Sequence, residues 1–221
     1  MLVNALIWAP PLLMAITFHE AAHGFAAYRY GDDTAKQRGR LTLNPIAHID
    51  PFGTVLLPLM LLLLPGGFIF GYAKPVPVNT AALNDPRWDM AKVAVAGPAM
   101  NFVLALGSVL LIPVVGLLPD MTQVILMKMI EISIFFNILL GVFNLLPMPP
   151  LDGGRVLAAV LPASAAPMLQ RLERLGFFIV IGLFFLAPMV LAEVGIRVDP
   201  FGAVVLRPAI WLSQTLMALV A

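Results

Sequence analysis

Long apolar runs separated by short polar connections set the pattern of this chain. A membrane-crossing helix needs about 20 predominantly apolar residues. Four runs meet that need: Leu2 to Tyr28, Ala91 to Leu118, Met121 to Leu146 and Phe177 to Val194. Ala203 to Val220 is a fifth candidate. A sixth run, Thr54 to Leu64, is too short to cross unless Pro65 to Tyr72 continues it, and Pro58, Pro65, Gly66 and Gly67 interrupt it. The pattern predicts an all-α polytopic membrane protein of about five to six transmembrane helices. Between the first two long helices it predicts a re-entrant or extended membrane-associated segment. Composition agrees, because 61% of the residues are hydrophobic and 11% charged, against roughly 25% charged in soluble domains. No polar stretch is long enough to fold alone, so residues 1–221 read as one integral-membrane domain.

Loop charges orient the bundle. Arg29, Lys36, Arg38 and Arg40 follow the first run, and Arg155, Arg171 and Arg174 lie between the third and fourth. The connection at Pro119-Asp120 has no basic residue. The positive-inside rule places Arg29–Asp50 and Leu151–Arg174 in the cytoplasm and Asp120 outside. Lys74, Arg87 and Lys92 also read as cytoplasmic, which requires Thr54–Tyr72 to enter and leave on one side as a hairpin. The start Met1-Leu2-Val3-Asn4-Ala5 lacks a basic n-region, so no cleaved signal peptide is expected. With a net charge of +1 there is no electrostatic case for nucleic acid. The absence of cysteine excludes disulfides and thiolate chemistry. In Gly71-Tyr72-Ala73-Lys74-Pro75-Val76-Pro77-Val78 the two prolines forbid helix. That segment is either a loop at the membrane surface or an edge strand able to pair with an extended substrate.

The chemistry lies in the first apolar run. His19-Glu20-Ala21-Ala22-His23 is an H-E-x-x-H, and on a helix residues i and i+4 share a face, so both imidazoles can reach one metal ion. Zinc accepts such a pair, needs a third protein ligand and keeps a fourth position for water. Glu20 can take a proton from that water. Two His and a Glu are costly in a bilayer-length apolar run unless they serve a function. The run is expected to carry the site below the cytoplasmic surface, on the order of 8 Å along the helix from Tyr28 at about 1.5 Å per residue.

The third ligand is harder to find. Arg29 occupies the place where extended soluble zincins carry a third His. His48, in a turn-rich loop, reads as a surface or interfacial residue rather than a ligand. Asp152 follows Asn144-Leu145-Leu146-Pro147-Met148-Pro149-Pro150-Leu151, where prolines close a long apolar helix. Irregular backbone at membrane depth is tolerated when it lines a protein-buried or wet cavity. Asp152 either caps a helix opening at Gly153 or completes a His2Asp site, and a membrane H-E-x-x-H short of one ligand favours the second.

Together, His19-Glu20-Ala21-Ala22-His23, Gly97-Pro98-Ala99-Met100-Asn101 and Asn144-Leu145-Leu146-Pro147 leading to Leu151-Asp152-Gly153 resemble the site-2 protease family of intramembrane zinc metalloproteases. The resemblance covers roughly Ile16 to Val156. It implies one Zn2+ per chain held by His19, His23 and Asp152, Glu20 as catalytic acid/base, and Asn144 near the site, holding substrate or the oxyanion. It also implies a catalytic core at about 1–156 with accessory C-terminal helices at about 171–221. There is no room for the PDZ or CBS domains of larger relatives, and the Tyr72–Val78 segment is similar to one in short bacterial members. The expected protein is therefore a zinc endopeptidase of a prokaryotic cell membrane. It would cleave membrane-anchored substrates in or near their transmembrane segments, with its active site nearer the cytoplasmic side. The alternative is a membrane metal-binding or transport protein using the same His/Asp cluster.

Two further features read as structural. Gly97 and Asn101 share a helix face, where a small residue permits close approach and Asn can bond across the contact. Lys128 and Glu131, three apart, are expected to form an interfacial ion pair.

Overall fold

The computed structural model of the protein describes residues 2–56, 60 and 74–220. These residues form helices and connections, with no strand among them. The helices are α1 (Leu2–Arg29), α2 (Thr34–Gln37), α3 (Trp88–Val115), α4 (Asp120–Asn144), α5 (Asp152–Val160), α6 (Ala166–Ile181), α7 (Ala187–Glu193) and α8 (Arg207–Met217). A π-helical turn, Gly182–Leu186, joins α6 to α7, and another, Gly202–Leu206, leads into α8.

Three stretches among the described residues are long and apolar enough to cross a membrane: Trp88–Val115, Asp120–Asn144 and Arg171–Glu193. They match three of the expected spans. The expected hairpin at Thr54–Tyr72 lies, apart from 54–56 and Met60, outside the described residues.

The bundle is built on α1, α3 and α4, each packed against the other two, with α5 against α3 and α8 against α4. Ala105, Val109, Ile130, Ile134, Ile138 and Ala209 form the main apolar core between α3, α4 and α8. Outward positions on α3 are equally apolar, with Val103, Leu110 and Val114 each about 60% exposed. The buried set, by contrast, contains Thr17, His19, His23, Asn101, Asn137 and Asp152. Apolar residues facing out and hydrogen-bonding residues facing in is the arrangement expected where lipid replaces water as the solvent.

The ends of these helices converge on one side of the bundle. α1 stops at Gly31, whose φ of +106° suits glycine and few other residues. α3 opens with reciprocal bonds. Asp85 Oδ1 accepts from the N–H groups of Arg87 and Trp88, while Asp89 Oδ2 accepts from Asp85 N–H, which satisfies donors that a helix start leaves unpaired. Buried Asp32 accepts from the N–H groups of Thr34 and Asn79 at 2.9 and 2.6 Å. Burial pushes its pKa up, but these hydrogen bonds outweigh burial and hold the carboxyl below its ordinary value.

One choice is decided and other expectations are corrected here. Residues 74–79 form no strand, so of the loop and edge-strand readings the described part of that segment takes the loop. Lys74 N–H donates to His48 O at 2.9 Å and Val76 N–H to Glu20 Oε2 at 2.7 Å, while Pro75 and Pro77 have no N–H. The described part of the segment therefore offers a substrate strand no free donor before Val78. His48 is not at the surface. It is 2% exposed, with Nε2 at 2.9 Å from Thr42 O, because the loop after α1 folds back over it. Residues 151–174, expected as a cytoplasmic segment, contain the short helix α5 and the first part of α6. Ion pairs among the described residues include His19–Asp152, His23–Asp152, Lys92–Asp89 and Arg155–Asp152. Lys128 and Glu131 are both exposed and do not pair with each other, in keeping with the small gain available to an exposed pair.

Candidate metal centre

α1 presents His19 and His23 one turn apart, and α5 brings Asp152 to them. The Asp152 Oδ2 atom lies 3.2 Å from Nε2 of each histidine, and the two Nε2 atoms are 3.0 Å apart. All three residues are buried. Asp152 reaches this position because α4 ends at Asn144 and the chain turns sharply, with Met148 N–H donating to Leu146 O and Leu151 N–H to Met148 O. The start of α5 sits so close to the end of α4 that a Cβ on Gly153 would fall onto the carbonyl oxygens of Leu145 and Leu146. Leu151 occupies the N-cap position, and no side chain caps the helix. The Asp152 carboxylate is thus not spent on capping. Its Oδ1 lies 3.7 Å from an Arg155 guanidinium nitrogen.

The hydrogen bonds behind the rings fix which nitrogen carries a proton. His23 Nδ1 lies 2.7 Å from Val93 O. A carbonyl only accepts, so Nδ1 is protonated. His19 Nδ1 lies 2.6 Å from Asn101 Oδ1. The orientation of that amide is set by Asn101 Nδ2, which donates to Ala15 O at 3.1 Å and Asn137 Oδ1 at 2.9 Å. In neutral imidazoles, both Nε2 atoms are then bare lone pairs facing each other and a carboxylate oxygen. Asp152 Oδ2 is buried without a hydrogen-bond partner, a costly state for a charged group. A single proton can bridge two of these three atoms, whereas a metal ion bridges all three. Tetrahedral zinc with bonds of about 2.0–2.1 Å sets its ligand atoms about 3.3 Å apart, close to the separations here. The donor set therefore fits a zinc ion with three protein ligands.

α3 forms the back wall. Val93, Gly97 and Asn101 recur every four residues along it, hence on one face. Val93 holds His23, Asn101 holds His19, and Gly97 passes directly against the rings. A Cβ on Gly97 would stand 2.5 Å from His23 Nε2 and Cε1 and 2.7 Å from His19 Cε1. The spacing of Gly97 and Asn101 was visible in the sequence as a packing face. Its contact with the histidines, and the roles of Asn137 and the Val93 carbonyl, were not.

Glu20 is half-buried, with Oε2 accepting from Val76 N–H. Asn144 sits at the end of α4, its Nδ2 donating to Leu140 O at 3.0 Å, and makes no hydrogen bond to the cluster.

The model of peptidase family M50 matches residues 8–125 and 112–187. YwhC of Bacillus subtilis, provisionally named a zinc metalloprotease, is 39% identical over 201 residues, covering 89% of this chain and 82% of that protein. Rip2 of Mycolicibacterium smegmatis, named in the same way, is 34% identical over 174 residues, covering 76% of this chain and 62% of that protein. The zinc metalloprotease MJ0392 of Methanocaldococcus jannaschii is 28% identical over 163 residues, covering 72% of this chain and 36% of that protein. No solved structure matches the chain with significance.

Proposed function

The chain belongs to peptidase family M50 and is an integral-membrane zinc protease, and on that premise we propose that His19, His23 and Asp152 hold the zinc ion while Glu20 moves the protons of peptide hydrolysis. One observation carries this reading: three lone-pair atoms from α1 and α5 converge at 3.0–3.2 Å, one of them a buried carboxylate oxygen with no other partner.

Bound zinc would polarise a peptide carbonyl and lower the pKa of a coordinated water to about 7. Glu20 then accepts the proton as the water oxygen bonds to the carbonyl carbon, and passes it to the nitrogen as the C–N bond breaks. Val76 N–H holds the Glu20 carboxylate for this task. Asn144 spends one amide hydrogen on Leu140 O, which leaves the second for a substrate carbonyl.

The substrates would be membrane-anchored proteins, cleaved in or near a transmembrane segment that must first unwind to expose its amides. The membrane would be a prokaryotic cell membrane, consistent with the bacterial and archaeal relatives. The site lies toward the helix ends that carry Arg29, Arg87 and Arg155. There Lys36 stacks on Tyr28, Lys92 on Tyr30 and Arg87 on Trp88, as at a cytoplasmic interface. Five to six spans in one domain, with the core at about 1–156 and accessory helices at about 171–221, complete the reading.

The ligand set is tested by elemental analysis of purified protein. Wild type should hold one zinc per chain, and Asp152→Ala should lose both the metal and proteolysis. An Asp152→Ala protein that keeps its full zinc complement would refute the assignment.

The amide on Glu20 has its own test. Val76→Pro removes the N–H while suiting a segment already flanked by prolines, and Val76→Ala keeps the N–H but trims the side chain. A hydrogen bond to a charged group is worth about 1.5–3 kcal/mol, so Val76→Pro should cost about tenfold or more in kcat. Val76→Ala should stay near wild type, with zinc content unchanged in both. Equal losses in the two variants would point to packing of the valine side chain instead.

A further inference from the structure

A chain of hydrogen bonds, buried at its start and part-buried further on, runs away from the metal centre along α3 and α4. It begins at His19 Nδ1 and passes to Asn101 Oδ1 on α3. Asn101 Nδ2 donates to Asn137 Oδ1 on α4. Asn137 Nδ2 donates to Ser133 O at 2.9 Å and lies 3.3 Å from Ser133 Oγ. Ser133 Oγ is 2.8 Å from Ser108 Oγ, which donates to Leu104 O. Asn101 and Asn137 are 0% and 1% exposed, amid Ile134, Ile138 and Ala105 of the core.

The plain reading is that these residues glue helices together, as polar residues in membrane bundles do. The pattern of bonds goes further. Glue needs only some bond between α3 and α1, whereas Asn101 makes two to α1, and both fall on the turn that carries His19. Its oxygen takes the ring Nδ1–H. Its nitrogen takes the Ala15 carbonyl, which in an α-helix is also the acceptor of the His19 backbone N–H. Ring and backbone of one ligand are thus gripped by one amide. The relay also has a direction. Each asparagine nitrogen is committed to a backbone carbonyl, on Ala15 or Ser133, so neither amide can flip without setting two acceptors face to face. That forces oxygen toward His19, a proton onto Nδ1 and the bare lone pair onto Nε2.

We propose that Asn101 and Asn137 are positioning residues of the metal centre, a one-way hydrogen-bond relay across three helices that locks the tautomer and tilt of His19 and thereby sets the zinc affinity of the site. The proposal rests on the reading that His19 is a zinc ligand.

The test measures the zinc dissociation constant of the full chain in detergent by competition with a chromogenic chelator. Loss of an outer partner of a metal-bound histidine typically costs 10–100-fold in affinity, and Asn101→Leu should weaken zinc by that factor. Asn137→Leu, which leaves α1 and the cluster untouched, should weaken it several-fold by leaving the Asn101 amide held at Ala15 O alone, so that it can tilt away from His19. Asn101→Asp keeps an acceptor for His19 Nδ1–H but sets its second oxygen against Ala15 O and Asn137 Oδ1, and should bind zinc less tightly than wild type but clearly more tightly than Asn101→Leu. A purely packing role predicts the reverse order, since the leucine fits an apolar core better than a carboxylate. Asn101→Asp binding as weakly as Asn101→Leu, or Asn101→Leu binding as tightly as wild type, overturns the relay. If Asn101→Leu does not fold, Asn137→Leu decides, and unchanged affinity there overturns it too. Wild type that binds no zinc would instead sink the ligand assignment itself.

Discussion

Glu20→Gln is expected to keep one zinc per chain and to lose cleavage of a membrane-anchored reporter by about 10²–10⁴-fold, the usual contribution of a positioned acid/base. Shape and contacts should survive the change. Glutamine has the volume of glutamate, and its side-chain oxygen can still accept from Val76 N–H, now at 2.7 Å from Oε2. What it cannot do is take a proton from water near neutral pH. Because Glu20 is not one of the three convergent donor groups, the metal should remain. The pairing of full zinc with absent proteolysis separates proton transfer from metal binding, and it separates a protease from a metal carrier, whose flux would not need this carboxylate. Substantial cleavage by Glu20→Gln would remove Glu20 from the mechanism, and loss of zinc would make it a ligand.

The second large effect is expected from one methyl group. Gly97→Ala should lower both zinc affinity and activity by about 10²-fold or more, the scale set by misplacing reacting groups by about 1 Å. The added carbon would sit 2.5 Å from His23 Nε2 and Cε1, and ordinary contact demands about 1 Å more. Neither ring can yield cheaply. His23 is tied to Val93 O and His19 to Asn101, both on the helix that carries Gly97. Pushing α3 away would instead open its packing against α1 and α4. Overpacking a core costs about 1–3 kcal/mol, so the protein should still fold, and a melting curve beside the zinc titration checks this. Gly97→Ala with wild-type zinc affinity would show that the α1–α3 contact is looser than the distances imply.

Much of this protein was legible before any coordinates. A run of about 20 apolar residues has few options in lipid but a helix, and three of the expected spans coincide with helices to within a few residues. The i, i+4 spacing of His19 and His23 is local geometry, so the pair followed from the sequence once the helix did. The meeting of Asp152 with that pair was expected from a His pair short of one partner and a carboxylate on a proline-broken turn.

Other features depended on residues far apart in the chain. The segment Tyr72–Val78 reads as a surface loop or as an edge strand, but which way an N–H points is settled by what it meets, and those of Lys74 and Val76 meet His48 O and Glu20. His48 looked exposed because turn-rich loops usually are, yet the chain folds over it. Asn101 looked like packing, because an asparagine on a small-residue helix face has the same local signature whether it bonds a neighbouring backbone or a buried histidine. Sequence alone thus determined the long apolar helices and the His pair on one face of the first, because these follow from periodicity and residue chemistry within one segment. Only the tertiary structure decided that Asp152 lies 3.2 Å from both imidazoles, that Gly97 backs them and that Asn101 and Asn137 stand behind His19, because contacts between helices depend on how whole surfaces pack.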